Sequence, residues 1–203
     1  MHVGIDFDNT LVGYDNVFHL CALERGLIPS EVERTKMAVR AHLWNQPDGN
    51  RWWTELQGIV YGTRMDEAVA NPGAMRFIEF CRGNGVRVSI VSHKVQYPAL
   101  GPHVDLRKAA FRWLEHCGFL DPVRTGLEHG NVYFESSRAE KIARILALGC
   151  THFVDDLPEV LDDQSFPLGV RKFRYVPQGD TVKGIESGDW AAATRWIQKD
   201  LEA

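Results

Sequence analysis

Asp6 and Asp8 stand two residues apart in Asp6-Phe7-Asp8-Asn9-Thr10, at the end of a short apolar run. If the chain stays extended there, alternate side chains share a side and the two carboxylates meet. Such a pair repels itself unless a cation joins the groups or one keeps its proton. A second acidic pair, Asp155-Asp156, closes another apolar run at residues 151–154. Brought together, these carboxylates make an oxygen-rich site, which hard Mg2+ prefers over softer metals. In such a site one carboxylate can serve as a nucleophile while another carries a proton. A lysine nearby would neutralise the charge that gathers on a transferred phosphoryl group.

For these groups to meet, several strand ends must converge. Short apolar runs alternate with helical periodicity, the pattern of a parallel α/β sheet. Strands are expected over residues 3–7, 86–91, 132–134, 151–154 and 170–176. Helices are expected around Met75–Cys81, after a cap at Asp105, after a Ser137/Glu140 capping box, from Pro158, and over Trp190–Leu201 behind Ser187 or Asp189. In such sheets ligands bind beyond the C-terminal strand ends, and Asp6, Asp8, Ser92-His93-Lys94 and Asp155-Asp156 all fall at those ends. Residues 14–69 read as helical throughout. Asp15 would cap a first helix, Ser30 and Glu33 would box a second running towards Trp44, and a third would span Trp52–Tyr61.

Taken in order, these motifs resemble the haloacid dehalogenase superfamily. Asp6-Phe7-Asp8-Asn9-Thr10-Leu11 is similar to its first motif, DxDxT, and Ser92 to its second, a lone Ser or Thr after a strand. Lys141 matches the third motif and Asp155-Asp156 the acidic fourth. The resemblance implies a three-layer, Rossmann-like α/β core over residues 1–13 and 70–203, with an inserted α-helical cap at residues 14–69. It also implies roles. Asp6 is the nucleophile that becomes an aspartyl-phosphate; Asp8 protonates the leaving alcohol and later activates water. Ser92 binds phosphoryl oxygens, Lys141 pairs with nucleophile and phosphate, and His93 and Lys94 stand where they could contact substrate. Mg2+ is held by Asp6, the backbone carbonyl of Asp8 and Asp155, with Asp156 orienting a metal-bound water or replacing a ligand. Asp8 favours phosphoryl transfer over dehalogenation, because a halide leaves without a proton. The fourth motif departs from the commonest family form, since Glu159 follows the adjacent acidic pair. The implied reaction is Mg2+-dependent hydrolysis of a small phosphomonoester such as a sugar phosphate. A phosphotransferase or phosphomutase using the same residues, or a non-catalytic binding module, are the alternatives.

The chain has 203 residues, 23 Lys+Arg against 27 Asp+Glu, a net charge of −4, and 44% hydrophobic residues. No basic stripe stands ready to displace counterions, so no nucleic-acid partner is expected. No apolar run approaches the ~20 residues a bilayer demands. No secretory signal is visible at the start, and the cytoplasm is the expected compartment. Cys21, Cys81, Cys117 and Cys150 are far apart, without a CxxC pair, and are expected as reduced, buried thiols. Plainer readings fit other candidates. His93 suits a loop-anchoring hydrogen bond, Trp44, Trp52 and Trp53 suit the insertion's own core, and Arg51 and Arg64 suit solvated charges. His19, His42, His116 and His129 lack metal spacing and receive no role.

Overall fold

The computed structural model describes residues 1–178 and 180–203. By compactness the chain divides into two units, one of residues 1–12, 70–94 and 118–203, the other of residues 13–69 and 95–117. The chain starts with β1 (His2–Ile5) and passes between units near two short strands, β2 (Val12–Gly13) and β3 (Val69–Ala70). Two-residue strands carry no periodicity, and neither was expected from the sequence.

The first unit is built on a six-stranded sheet. After β1 come α4 (Ala74–Gly83), β4 (Arg87–His93), β5 (Val132–Glu135), α6 (Arg138–Ala147), β6 (His152–Asp155) and α7 (Pro158–Leu161). It ends with β7 (Arg171–Tyr175), β8 (Glu186–Gly188) and α8 (Trp190–Leu201). The order is β5-β4-β1-β6-β7-β8, and the neighbouring strands run parallel. The chain builds outward from β1 in one direction, then returns to its other side at β6. The C-terminal end of β1 is therefore the switch point, where a crevice opens in this class of sheet.

Helices cover both faces. Phe153 packs with Val91, Ile142, Ile145, Leu161 and Phe166, which places α6 over its face. Its neighbour His152 meets Trp196 of α8 edge-on, ring centres 4.9 Å apart. Adjacent strand residues point to opposite faces, so α6 and α8 lie on opposite sides and the unit has three layers. On the α8 side, Phe77 of α4 packs against Trp190 at 4.8 Å. Three expected caps form: the side chains of Ser137 and Asp189 accept from the amides of Glu140 and Ala192, and Asp105 accepts from that of Lys108. Glu140 completes its half of the box one residue early, accepting from the Ser136 amide at 2.8 Å. β4 runs through Ser92 and His93, further than expected, because Lys94 still donates to the Glu135 carbonyl of β5.

The second unit contains α1 (Asp15–Glu24), α2 (Lys36–Trp44), α3 (Gly49–Gly58) with a π-helical turn at Ile59–Thr63, and α5 (Leu106–His116). Its aromatic core stacks Phe18 on Trp53 at 4.8 Å, with Tyr61 edge-on to both Tyr14 and Phe18. Trp44 stays half exposed under the Arg40 guanidinium, and Arg64 is ion-paired with Glu24 and Glu67 rather than solvated. Two helix starts differ from expectation. Asp15 does not cap α1; its carboxylate accepts from the Lys36 amide at 2.8 Å and so ties α1 to α2. α2 begins at Lys36 with Thr35 as its cap, because residues 29–35 fold into successive turns that leave Ser30 outside the helix. Residues 95–117 group with this unit. Gly58 lets the chain at Leu100 come so close that a Cβ would lie 2.2 Å from the Leu100 carbonyl oxygen, and the Trp113 indole donates to Ala68.

All four cysteines are free, and burial pushes the Cys81 thiol up to about 12, which keeps it inert. Among the described residues no helix is long and apolar enough to cross a membrane.

Gly4 gives the sheet its closest approach. A Cβ there would lie 2.5 Å from Cδ2 and 2.8 Å from Cε2 of Phe153. Gly4→Val is expected to cost roughly 1–3 kcal/mol by overpacking. Urea unfolding should show a lower midpoint with an unchanged slope.

Candidate active site

Asp6 extends the β1 ladder by one bond, its amide donating to Val154 at 2.9 Å. The chain then turns. The Phe7 carbonyl accepts from the amides of Leu11 and Val12 at 3.0 and 3.1 Å, and Asn9 takes the left-handed conformation at φ 61°. Asparagine is among the few residues that visit this region readily. Asn71 pins the turn from outside, donating to the carbonyls of Asn9 and Thr10 at 3.0 and 2.8 Å, and the Trp190 indole adds a bond to Thr10 at 3.3 Å. The extended chain assumed from the sequence therefore ends before Asp8, and the two aspartates meet different partners.

Asp6 follows Gly4 on the face that carries Phe153 and Asp155, the face covered by α6. Lys141, in the first turn of α6, places its ammonium 2.6 Å from Asp6 Oδ1 and 2.6 Å from Asp155 Oδ2. All three are almost fully buried, at 1, 3 and 0% exposure for Lys141, Asp6 and Asp155. One ammonium against two carboxylates leaves an excess negative charge where water cannot screen it. Burial pushes the Asp155 carboxyl up to about 7; Asp6 adds to the shift and Lys141 opposes it. Burial also works against the Lys141 charge, but the two carboxylates override it and hold the ammonium above its ordinary range.

Asp156 completes the acidic side. Asp6, Asp155 and Asp156 each offer an oxygen, and these atoms lie within 4.8 Å of one another. Asp156 is steadied by the Thr10 hydroxyl at 3.2 Å, and Asp155 by the Leu157 amide at 3.0 Å. An all-oxygen donor set with surplus negative charge fits a hard divalent cation. Glu159, on α7, is exposed and not part of this cluster.

The remaining candidates separate. Asp8 carries Lys94 on both carboxylate oxygens, at 2.9 Å each. Ser92 is buried in β4 beside Phe134. Continuing the Ile5–Ile90 register by two residues sets it level with Phe7, one strand from the turn. His93 is exposed, with Nε2 3.1 Å from the Ser136 carbonyl oxygen, as a loop anchor would be. Sequence reasoning gave no role to Thr10, Asn71 or Trp190. A side chain reaching 61 residues back leaves no local signal.

No protein-family model matches the sequence, and no curated protein does. Solved structures match along nearly its whole length. A HAD family hydrolase from Deinococcus radiodurans R1, solved with bound phosphate and sodium, is similar at 18% identity and TM-score 0.51, covering 97% of this chain and 87% of its own. The fold is haloacid dehalogenase-like. The same fold recurs in a predicted phosphoglycolate phosphatase from Haemophilus somnus (13% identity, TM-score 0.57, 97% of each chain). It recurs again in Mycobacterium tuberculosis protein tyrosine kinase A (15% identity, TM-score 0.63, 100% and 98%). In this HAD-like frame Asp6, Lys141 and Asp155 sit together at the switch point of the sheet, while Asp8 and Lys94 form a separate pair.

The buried triad has a thermodynamic signature. Asp155 ordinarily titrates at 3.8, and in the folded chain at about 7. Between those values the folded state holds a proton that the unfolded state has released, so stability falls as pH rises through this window. In chelator, melting temperatures should therefore decline between about pH 4 and 7 more steeply than those of Asp155→Asn, and Mg2+ should flatten the decline. Parallel profiles for the two proteins in chelator would refute this assignment.

Proposed function

We propose that this protein is a Mg2+-dependent phosphomonoester hydrolase that works through an aspartyl-phosphate on a small phosphorylated metabolite. The observation that carries this reading is Asp6, with one carboxylate oxygen on the Lys141 ammonium and another carboxylate pair beside it. A carboxylate so placed is held in one orientation, with countercharge next to the atom that would attack phosphorus.

In this reading Asp6 attacks phosphorus and the bond to the leaving oxygen breaks, with Asp8 giving its proton to the departing alcohol. Asp8 then takes a proton from the water that attacks the phosphoryl group, releasing phosphate and restoring Asp6. Lys141 offsets the charge on the phosphoryl oxygens, and Ser92 offers them a hydroxyl. Asp6, Asp155, Asp156 and the Asp8 carbonyl would hold Mg2+, which when bound neutralises carboxylate and phosphoryl charge together. The helical residues 14–69 are assigned the part of a cap that selects a small substrate and excludes water.

Transfer to an acceptor other than water uses the same residues, and one protein of similar fold is a protein tyrosine kinase. Phosphate release from a panel of small phosphomonoesters, with Mg2+ and with chelator, tests the hydrolytic reading. Release should require the metal and fall by about a thousandfold or more in Asp6→Asn. Turnover that is slow in water and rises steeply with added alcohols would instead favour transfer. A folded, Mg2+-supplied protein that releases phosphate from no member would overturn hydrolysis.

A further inference from the structure

The ion pair between Lys94 and Asp8 is not among the contacts that the sequence motifs assign, which leave Lys94 facing substrate or solvent. The Lys94 ammonium stands 2.9 Å from each Asp8 oxygen, and its side chain is 3% exposed against 21% for Asp8. The root of Lys94 is fixed by its amide bond to the Glu135 carbonyl at 2.8 Å, and its ammonium lies 5.4 Å from the Phe7 ring centre. The other buried lysine, Lys141, is already held by Asp6 and Asp155. The turn that follows Asp8 is pinned at the Thr10 carbonyl by Asn71 and Trp190.

We propose that Lys94 is the positioning residue for Asp8: it aims the carboxylate and receives the negative charge left when Asp8 gives its proton to the leaving group. This rests on the phosphatase reading above. In the first step, entered with Asp8 protonated on one oxygen and the other still accepting from Lys94, the Asp6–phosphorus bond forms, the bond from phosphorus to the leaving oxygen breaks, and the Asp8 proton moves to that oxygen. Asp8 is then a carboxylate chelated by an ammonium it need not move to reach, already oriented to take a proton from water in the second step. Lys94 therefore matters in proportion to how much proton the leaving group needs. An alkoxide needs one; p-nitrophenolate departs without it.

The test compares Lys94→Met and Lys94→Arg with wild type on an alkyl phosphate and on p-nitrophenyl phosphate, following the pre-steady-state burst of p-nitrophenol to isolate the first step. In Lys94→Met, kcat on the alkyl phosphate should fall by about 10–100-fold while the burst rate changes by less than about threefold. KM should stay nearly constant for both, and Lys94→Arg should recover part of the alkyl rate. On an Asp8→Asn background Lys94→Met should add no further loss. A burst rate that falls as far as the alkyl phosphate rate, or a raised KM with kcat retained, overturns the proposal in favour of a structural or phosphate-binding role. A readout independent of turnover keeps the two hypotheses apart. The side-chain 15N–1H3 signal of Lys94 should be slow to exchange in wild type and lost in Asp8→Asn. Rapid exchange in wild type overturns the positioning role, whereas a protected Lys94 in a protein that cleaves no phosphomonoester overturns only the phosphatase reading.

Discussion

Everything at the end of the sheet depends on one ammonium shared by two buried carboxylates. β1 and β6 are direct neighbours, with Ile5 beside Val154, so the next residues, Asp6 and Asp155, are forced together where water is excluded. Two such charges cannot remain ionised side by side without a counterion. Lys141 supplies it from α6, and can do so only if α6 sits on the face of the sheet that Gly4 and Phe153 define. The hydrophobic side of this arrangement is equally specific. Phe153 lies 5.5 Å beneath the Lys141 ammonium and fills the space that the absent side chain of Gly4 leaves. Strand order, helix placement and the small residue in β1 are thus linked by a single electrostatic requirement. That requirement is met only in part, since one negative charge is left over, which a proton on Asp155 or a further cation can offset.

The turn after β1 performs a second separation. An extended Asp-x-Asp would set its two carboxylates against each other, whereas the turn closed on the Phe7 carbonyl gives each aspartate its own lysine. Asn71 and Trp190 meet the backbone carbonyls that the turn leaves open, from segments 61 and 180 residues away in sequence. Polar groups buried in a loop must be satisfied somewhere, and here the fold's last helix and the first residue after β3 do it.

How much of this could be read in the sequence follows from the range of each signal. Strands β1, β4, β5, β6 and β7 and the helices around Phe77, Ile142 and Trp190 are local patterns, and they appear close to where apolar periodicity puts them. So do the caps at Asp105, Ser137 and Asp189, because a cap is a bond over three residues. Ser30 and Asp15 carry the same local signature and fail as caps. The Lys36 amide captures Asp15, and the turns at residues 29–35 delay α2 until Thr35. Lys141 was legible by its place in a motif, but its bridging of two strands was not. Lys94 shows the limit most clearly. From the sequence it is a lysine at a strand end, where substrate or solvent is the natural partner. In the fold it is buried, and its partner is 86 residues away.

That limit bears on what a shared fold can say about chemistry. A hydrolase, a dehalogenase, a predicted phosphatase and a kinase are similar in fold at 10–18% identity, so the fold alone selects none of those reactions. What the sheet does is present two acids at one strand end and leave the rest of the chain to decide their use. In this chain the first acid shares one lysine with Asp155. The second is paired with a lysine of its own. On the phosphatase reading, two carboxylates two residues apart take opposite tasks because a turn gives them different neighbours, and the neighbours, more than the carboxylates, distinguish them.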